Sequence, residues 1–340
     1  MTKKKTSLII TTINKPNKVI KKYLSICTKH KIDYIIIGDK KTPIYPKKYG
    51  LISTLLQKKI KFNIINKLPY NSYSRKNIGY LLAMKKQTEI IVETDDDNYP
   101  KDNFFKNLSI NKKITQLSGP KWINILKVFS DKNDKIWPRG YPLSLINKQQ
   151  KLKKKYLNIC SPIQQRMIDG NPDVDAIFRL SNQFKFYKFK DANYSIDSKS
   201  VCPFNTQNTV WHKIAFPLMY LPSYCTMRST DIWRGFVALR VLKNYSWNIS
   251  FLKSTVIQER NKHDLMNDFE QELPIYKDTI LFNSVLENTK LNKRHDHMLI
   301  NIYKCYEALV KNKIIEQREL TLLRAWLLDL KAIYPNFKEI

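Results

Sequence analysis

The sequence predicts an α/β fold: a Rossmann-type sheet flanked by helices, followed by a helical C-terminal tail. Three observations predict it. Short β-branched runs alternate with segments of helical period through the first hundred residues. Those runs are apolar without alternation, as strands covered on both faces of a parallel sheet must be. From about residue 296 the apolar residues recur at helical spacing only, on two successive faces.

Leu8–Ile13 is the first strand, and Asn14-Lys15-Pro16-Asn17 is a turn whose proline is suited to open a helix. Val19, Ile20, Tyr23, Leu24 and Cys27 then space as one helical face. Tyr34–Ile37 reads as a buried strand stopped by Gly38-Asp39. Leu51–Leu56 reads as a helix, Phe62–Ile65 as a strand and Ser74–Lys86 as a helix. Ile90–Val92 is a strand that runs through Glu93-Thr94 into Asp95-Asp96-Asp97. Ligands of such sheets lie at the carboxyl ends of the strands. Three polar clusters fall at those ends, Thr11-Thr12-Asn14, Gly38 to Lys41 and Asp95 to Asp97, and the topology is expected to gather them. Residues 100–250 are irregular and rich in aromatics. In the tail, Met298, Ile302, Cys305, Tyr306 and Leu309 make one face and Leu320, Leu323, Trp326, Leu327 and Leu330 the next.

The 340 residues are 43% hydrophobic, enough for a large core, and only 7 are glycine, which excludes collagen-like and glycine-linker architectures. The formal net charge is +31, carried by 49 lysines and 11 arginines. That charge favours anionic partners: nucleotide diphosphates, acidic glycans, anionic lipid surfaces or nucleic acid. Lysine, isoleucine and asparagine are abundant together, which codon composition explains as readily as function does. Phosphate-gripping proteins recruit arginine forks, scarce here. Five scattered cysteines with no CxxC pair argue against a disulfide framework or a structural zinc site, and they fit a reducing compartment. No apolar stretch reaches the ~20 residues of a spanning helix. The expectation is a cytoplasmic protein that is soluble or peripheral to a membrane.

The acidic triplet is the strongest chemical signal. Three adjacent carboxylates at a strand end repel one another, and a bound cation would relieve them. Oxygen ligands with open positions suit Mg2+ or Mn2+ carrying a diphosphate. In extended backbone Asp95 and Asp97 would share a side and Asp96 would face away. The alternative is an acidic turn with no ligand. Arg75-Lys76-Asn77, opening a helix just before the acidic strand, reads either as an anion site or as a solvated basic helix start.

Arg-x-Asn-x-Gly, a helix, an apolar strand and Asp-x-Asp follow in the order seen in GT-A glycosyltransferases. The likeness extends to Ile10–Pro16, Gly38–Pro43, Tyr73–Tyr80, Glu93–Asn98, Trp137–Pro142 and Asp231–Gly235, and to a tail around Ala325–Leu330. In these six ordered motifs the chain resembles the STELLO-type family, best known from plant Golgi proteins associated with cellulose synthesis. Plant members carry an N-terminal membrane anchor that this sequence does not show, so Golgi residence is not part of the expectation.

The resemblance implies a GT-A-like mixed sheet. Residues 1–260 would form the transferase domain, with a nucleotide-binding half at 1–100 and an acceptor half at 101–260, and residues 261–340 a helical extension. It implies a nucleotide-sugar donor, UDP-sugar by preference, and Mn2+ or Mg2+ on Asp95 and Asp97. Thr11, Thr12, Asn14, Asp39, Arg75, Asn77 and Asp96 would contact the donor nucleotide. An inverting transfer needs a general base, for which Asp231 is the candidate, the alternative being a helix cap. Trp233 would stack on an acceptor sugar, and Arg139 and Arg234 would reach a phosphate or the acceptor. Arg139 reads equally as part of a proline-held turn. Glu93 would orient a second layer. Asn205, Asp169 and Asp173 read as loop polar groups or acceptor contacts. Neither His212 nor His263 is fixed as a third metal ligand. The acceptor is a glycan, a lipid-linked molecule or a protein, and no specific nucleic acid is expected. The competing reading is a basic protein that binds nucleic acid or a membrane surface without catalysis.

Overall fold

The computed structural model describes residues 4–131, 134–183, 185–259 and 264–338. Its first half is β1 (Thr6–Thr11), α1 (Lys18–His30), β2 (Asp33–Ile37), β3 (Leu51–Ile52), α2 (Thr54–Gln57), α3 (Lys76–Lys85), β4 (Ile90–Asp95), β5 (Asn98–Pro100) and β6 (Asn111–Ser118). Then come α4 (Ile125–Phe129), β7 (Lys153–Cys160), β8 (Ile163–Gly170), α5 (Ala176–Ser181), β9 (Tyr194–Ile196), β10 (Asn208–His212), α6 (Thr230–Asn244) and β11 (Ile249–Gln258). The chain closes with α7 (Leu265–Asn288), α8 (Met298–Lys311) and α9 (Glu319–Ile333).

The strands form one mixed sheet in the order β3-β2-β1-β4-β10-β8-β11-β9-β6-β7, with β5 paired to β11. β3, β2, β1 and β4 are mutually parallel, and β10 joins β4 antiparallel. The expected α/β class with a mixed, helix-flanked sheet and a helical tail is what the chain adopts. The connection from β1 leads to β2 on one side, while β4 lies on the other. The crevice between the carboxyl ends of β1 and β4 is therefore the topological switch point, where α/β sheets bind ligands.

Local chemistry explains the first crossover. Asn17 caps α1 by accepting the Ile20 N–H at 2.9 Å, and Val19, Ile20, Tyr23 and Cys27 turn inward onto the sheet. α3 lies so close to the sheet that a Cβ at Gly79 would come within 2.8 Å of Ile9, so glycine is required there by space.

Two expected elements differ. Leu51–Leu56 is not one helix: Leu51 and Ile52 pair with Ile36 and Ile37 as an edge strand, and Ser53 caps a single turn. Phe62–Ile65 is not a strand but leads into a turn that buries Ile64 and Ile65. The Asp329 carboxylate on α9 accepts the Asn63 N–H at 2.7 Å and the Ile64 N–H at 3.0 Å. Backbone donors met by a side chain 266 positions away have no need of a sheet. The tail helices share the main core: Ile275, Phe282, Leu299, Leu323 and Trp326 belong to the same apolar cluster as Ile9, Ile78 and Ile91.

Candidate functional site

The three strand-end clusters meet at the switch point. Asp96, in the turn after β4, accepts the Thr12 hydroxyl at 2.5 Å and the Asn14 amide at 2.9 Å, and its backbone oxygen accepts the Asn17 amide. The Thr42 hydroxyl donates to Thr12 O and accepts the Asp39 N–H, both at 2.7 Å. Asp39 in turn accepts the Ser72 N–H at 3.0 Å. Thr11 is paired in register with Asp95. Burial raises the Asp96 carboxyl above the usual carboxylate range, partly offset by the Thr12 and Asn14 hydrogen bonds.

The backbone turns at Asp96 and Asp97, so the extended alternation expected of the triplet does not apply. The three carboxylates splay. Asp95 faces α3, Asp96 the β1–α1 loop, and Asp97 the end of β11, where its Oδ2 accepts the Gln258 amide at 3.0 Å. Asp95 Oδ1 accepts the Tyr73 hydroxyl at 2.6 Å and the Lys76 ammonium at 3.1 Å. Lys76 is fully buried and completes its three donors on Tyr73 Oη and Thr94 O. Since the Tyr73 proton goes to Asp95, Thr206 donates to Tyr73, at 2.5 Å. Burial pushes the Tyr73 phenol well up, with Asp95, Tyr80 and Asp231 adding to the effect.

Tyr73 and Lys76 thus belong to the site's wall; sequence reasoning gave Tyr73 no role and read Lys76 as part of an anion site or a solvated helix start, whereas it is buried with its three donors spent on protein oxygens. The available signal was their spacing, i and i+3 at a helix start, which stacks the two side chains on one face.

Among the described residues no three His, Cys, Asp or Glu side chains are grouped to hold a metal ion. Asp95 and Asp97 are partly buried, hard oxygen donors on one turn, Asp97 with its Oδ1 buried and its Oδ2 on Gln258. Carboxylate oxygens suit Mg2+ or Mn2+, and the two splayed side chains would have to turn toward one point to share an ion whose remaining ligands come from a diphosphate. His212 is not a third ligand: it is buried on β10 against Gln164, and burial pulls its imidazole down to about 3. His263 lies outside the described residues.

Across the crevice lies a buried ionic cluster. The Arg139 guanidinium grips Asp173 through Nε at 3.0 Å and Nη2 at 2.7 Å, and Asp231 through Nη1 and Nη2 at 3.0 Å each. It also donates to Arg228 O. Arg228 pairs with Glu272 at 2.6 Å. Burial alone would raise the Asp173 carboxyl, but Arg139 and Arg228 outweigh it and hold it below the usual range. Asp231 occupies the first turn of α6 with both oxygens on Arg139.

Several expected contacts are corrected. Trp233 does not face an acceptor: it is 1% exposed and stacks on Phe282 with centroids 4.3 Å apart. Arg234 faces the interior, where it forks onto Glu93 at 2.8 and 3.1 Å, while Glu93 also accepts the Trp211 indole and the Tyr80 hydroxyl. Asn77 spends its amide on the backbone of Leu221, donating and accepting at 2.9 Å. Arg75 is buried on Gln57 and the carbonyls of Leu68 and Pro69, so it shapes the wall from behind and reaches no phosphate. Arg139 is likewise committed to Asp173 and Asp231. A buried cation keeps its protein partners because desolvating it unpaired is costly.

Residues 228–340 match the family model of the STELLO glycosyltransferases. Two Arabidopsis thaliana proteins are similar. Probable glycosyltransferase STELLO2 is 26% identical over 65% of this chain and 32% of its own length; probable glycosyltransferase STELLO1 is 26% identical over 61% and 30%. The matched region thus spans about a third of the length of these curated relatives. Among solved structures, a mycobacterial protein is similar at 9% identity and a TM-score of 0.46, covering 82% of this chain and 74% of that one. Glucosyl-3-phosphoglycerate synthase of M. tuberculosis is similar at 8% identity and a TM-score of 0.42, covering 82% and 80%. The chain is thus similar to the STELLO glycosyltransferases through its C-terminal third by the family model, and to both relatives over more than 60% of its length.

Proposed function

We propose that the chain is a glycosyltransferase that moves a sugar from a nucleotide-sugar donor, UDP-sugar by preference, to a hydroxyl acceptor. The observation that carries this reading is the convergence of Thr12, Asp39, Tyr73 and Asp95 on the switch-point crevice, the position at which α/β sheets in general bind ligands. The similarity to the STELLO glycosyltransferases, in the family-model match and in both Arabidopsis relatives, supports the same reaction class.

In this reading the base and ribose lie over Thr11, Thr12, Asn14 and Asp39, on loops already tied together by hydrogen bonds. Preformed loops bind without paying to be ordered. Asp95 and Asp97 would hold Mn2+ or Mg2+, which supplies charge neutralisation to a departing diphosphate. Lys76 and Tyr73 both hold Asp95 Oδ1, which orients the carboxylate and leaves Oδ2 as the oxygen available to an ion. Asp231 is the candidate base of an inverting transfer. To accept the acceptor's proton, one of its oxygens must leave Arg139, which then steadies the other. The acceptor is a glycan, a lipid-linked molecule or a protein, and the chain works in the cytoplasm.

A nucleotide-sugar hydrolysis screen with manganese tests the reading, run on the parent and on Asp97→Ala. Release of one nucleoside diphosphate by the parent alone is expected. No release from any nucleotide sugar, together with no rise in melting temperature on adding a nucleoside diphosphate and manganese, would overturn it.

A further inference from the structure

The carboxyl edge of the parallel strands carries an unusual surface. Ile44 is 99% exposed, Leu55 72%, Ile13 53% and Leu56 48%. All four follow the ends of β1, β2 or β3, three neighbouring strands, so they crown one edge of the sheet. Their loops are braced. Thr42 Oγ1 donates to Thr12 O, Tyr45 Oη donates to Asn14 O, and the Gln57 amide donates to Gly38 O and Ile52 O. Pro43 and Pro46 flank the Ile44 tip and stiffen it further.

The tips are ringed by cations. Lys40, Lys41, Lys47, Lys48, Lys58 and Lys59 are exposed, and among the described residues none of them has an acidic partner. No Asp or Glu occurs between Asp39 and Glu89. From Lys40 to Ser74 every cation is lysine and none is arginine.

We propose that this edge is a docking surface for an anionic lipid bilayer, with Ile44 and Leu55 entering the headgroup layer and the lysines answering its charge. Rigid apolar tips insert without an ordering cost, and lysines near an anionic leaflet gain from its field. The ring of like charge opposes pairing with a second copy of the chain. The lack of arginine forks disfavours nucleic acid. Docking here would set the crevice of Asp39 and Asp95 beside the headgroups. The docking itself does not depend on the transferase reading, since it is measured without a sugar donor.

The test is flotation of the full chain with phosphatidylcholine vesicles, with or without about 30% phosphatidylserine, at about 0.15 M salt. The chain should float with the anionic vesicles only. Ile44→Ser should weaken binding roughly tenfold, from the lost apolar insertion. Replacing Lys40, Lys41, Lys47 and Lys48 by Gln should weaken it roughly fivefold per lysine. Melting temperatures should not move, because these side chains are exposed; Leu55→Ser is the second apolar variant, should Ile44→Ser fold poorly. Failure to float with anionic vesicles would overturn the proposal. So would flotation that ignores both apolar substitutions, which would mean only the general field of a +31 chain. Self-association lost in Ile44→Ser, or RNA binding at the same salt lost in the lysine variant, would reassign the surface and overturn it too.

Discussion

Lys76 offers the sharpest test of how the site is built. Its ammonium is fully buried and 3.1 Å from Asp95 Oδ1, whose side chain is 23% exposed. At an effective dielectric of about 20, Coulomb's law gives about 5 kcal/mol for such a pair before desolvation. Desolvation of the lysine takes back most of that, and a charge-assisted hydrogen bond nets about 1.5–3 kcal/mol. A double-mutant cycle of Lys76→Met and Asp95→Asn should therefore show a coupling of about 2 kcal/mol. Each single variant leaves a charge without its partner, and the pair together leaves none. Urea unfolding of the four proteins at neutral pH, read by tryptophan fluorescence, measures it. Additivity within about 0.5 kcal/mol would refute the argument, since it would mean that Thr94 O and Tyr73 satisfy Lys76 without Asp95.

Further outcomes follow from the buried groups. Burial lifts the Asp175 carboxyl to about 7, despite bonds from the Phe178 N–H and the Trp137 indole. A carboxyl raised in the folded state favours folding below its unfolded value, near 4, and loses that contribution as pH rises through about 7. Asp175→Asn should flatten the pH dependence of stability across that window, followed by urea midpoints from about pH 4 to 8. Trp233→Ala should cost about 3–5 kcal/mol, seen as a large fall in melting temperature, because it empties the stack on Phe282. Arg139→Lys keeps the charge but cannot fork onto both Asp173 and Asp231; a loss of about 2–3 kcal/mol in urea unfolding is expected.

What the sequence determined by itself is local. The apolar runs of β1, β2 and β4, the Asn17 cap and the polar residues at each strand's end depend on neighbours within a few positions. Backbone propensity and turn chemistry act at that range. The placing of Thr12, Asp39 and Asp95 at one crevice followed from strand order alone. Facing was another matter. Residues 230–238 of α6 are buried on every side, so no apolar stripe told which way Trp233 or Arg234 points. Arg234 is claimed by Glu93, 141 positions away, and the turn at Asn63 by Asp329, 266 away. Only the tertiary structure decides such partnerships. A buried charge or orphan N–H takes whichever complementary group the fold carries to it, and the cost of leaving it unpaired exceeds any local preference.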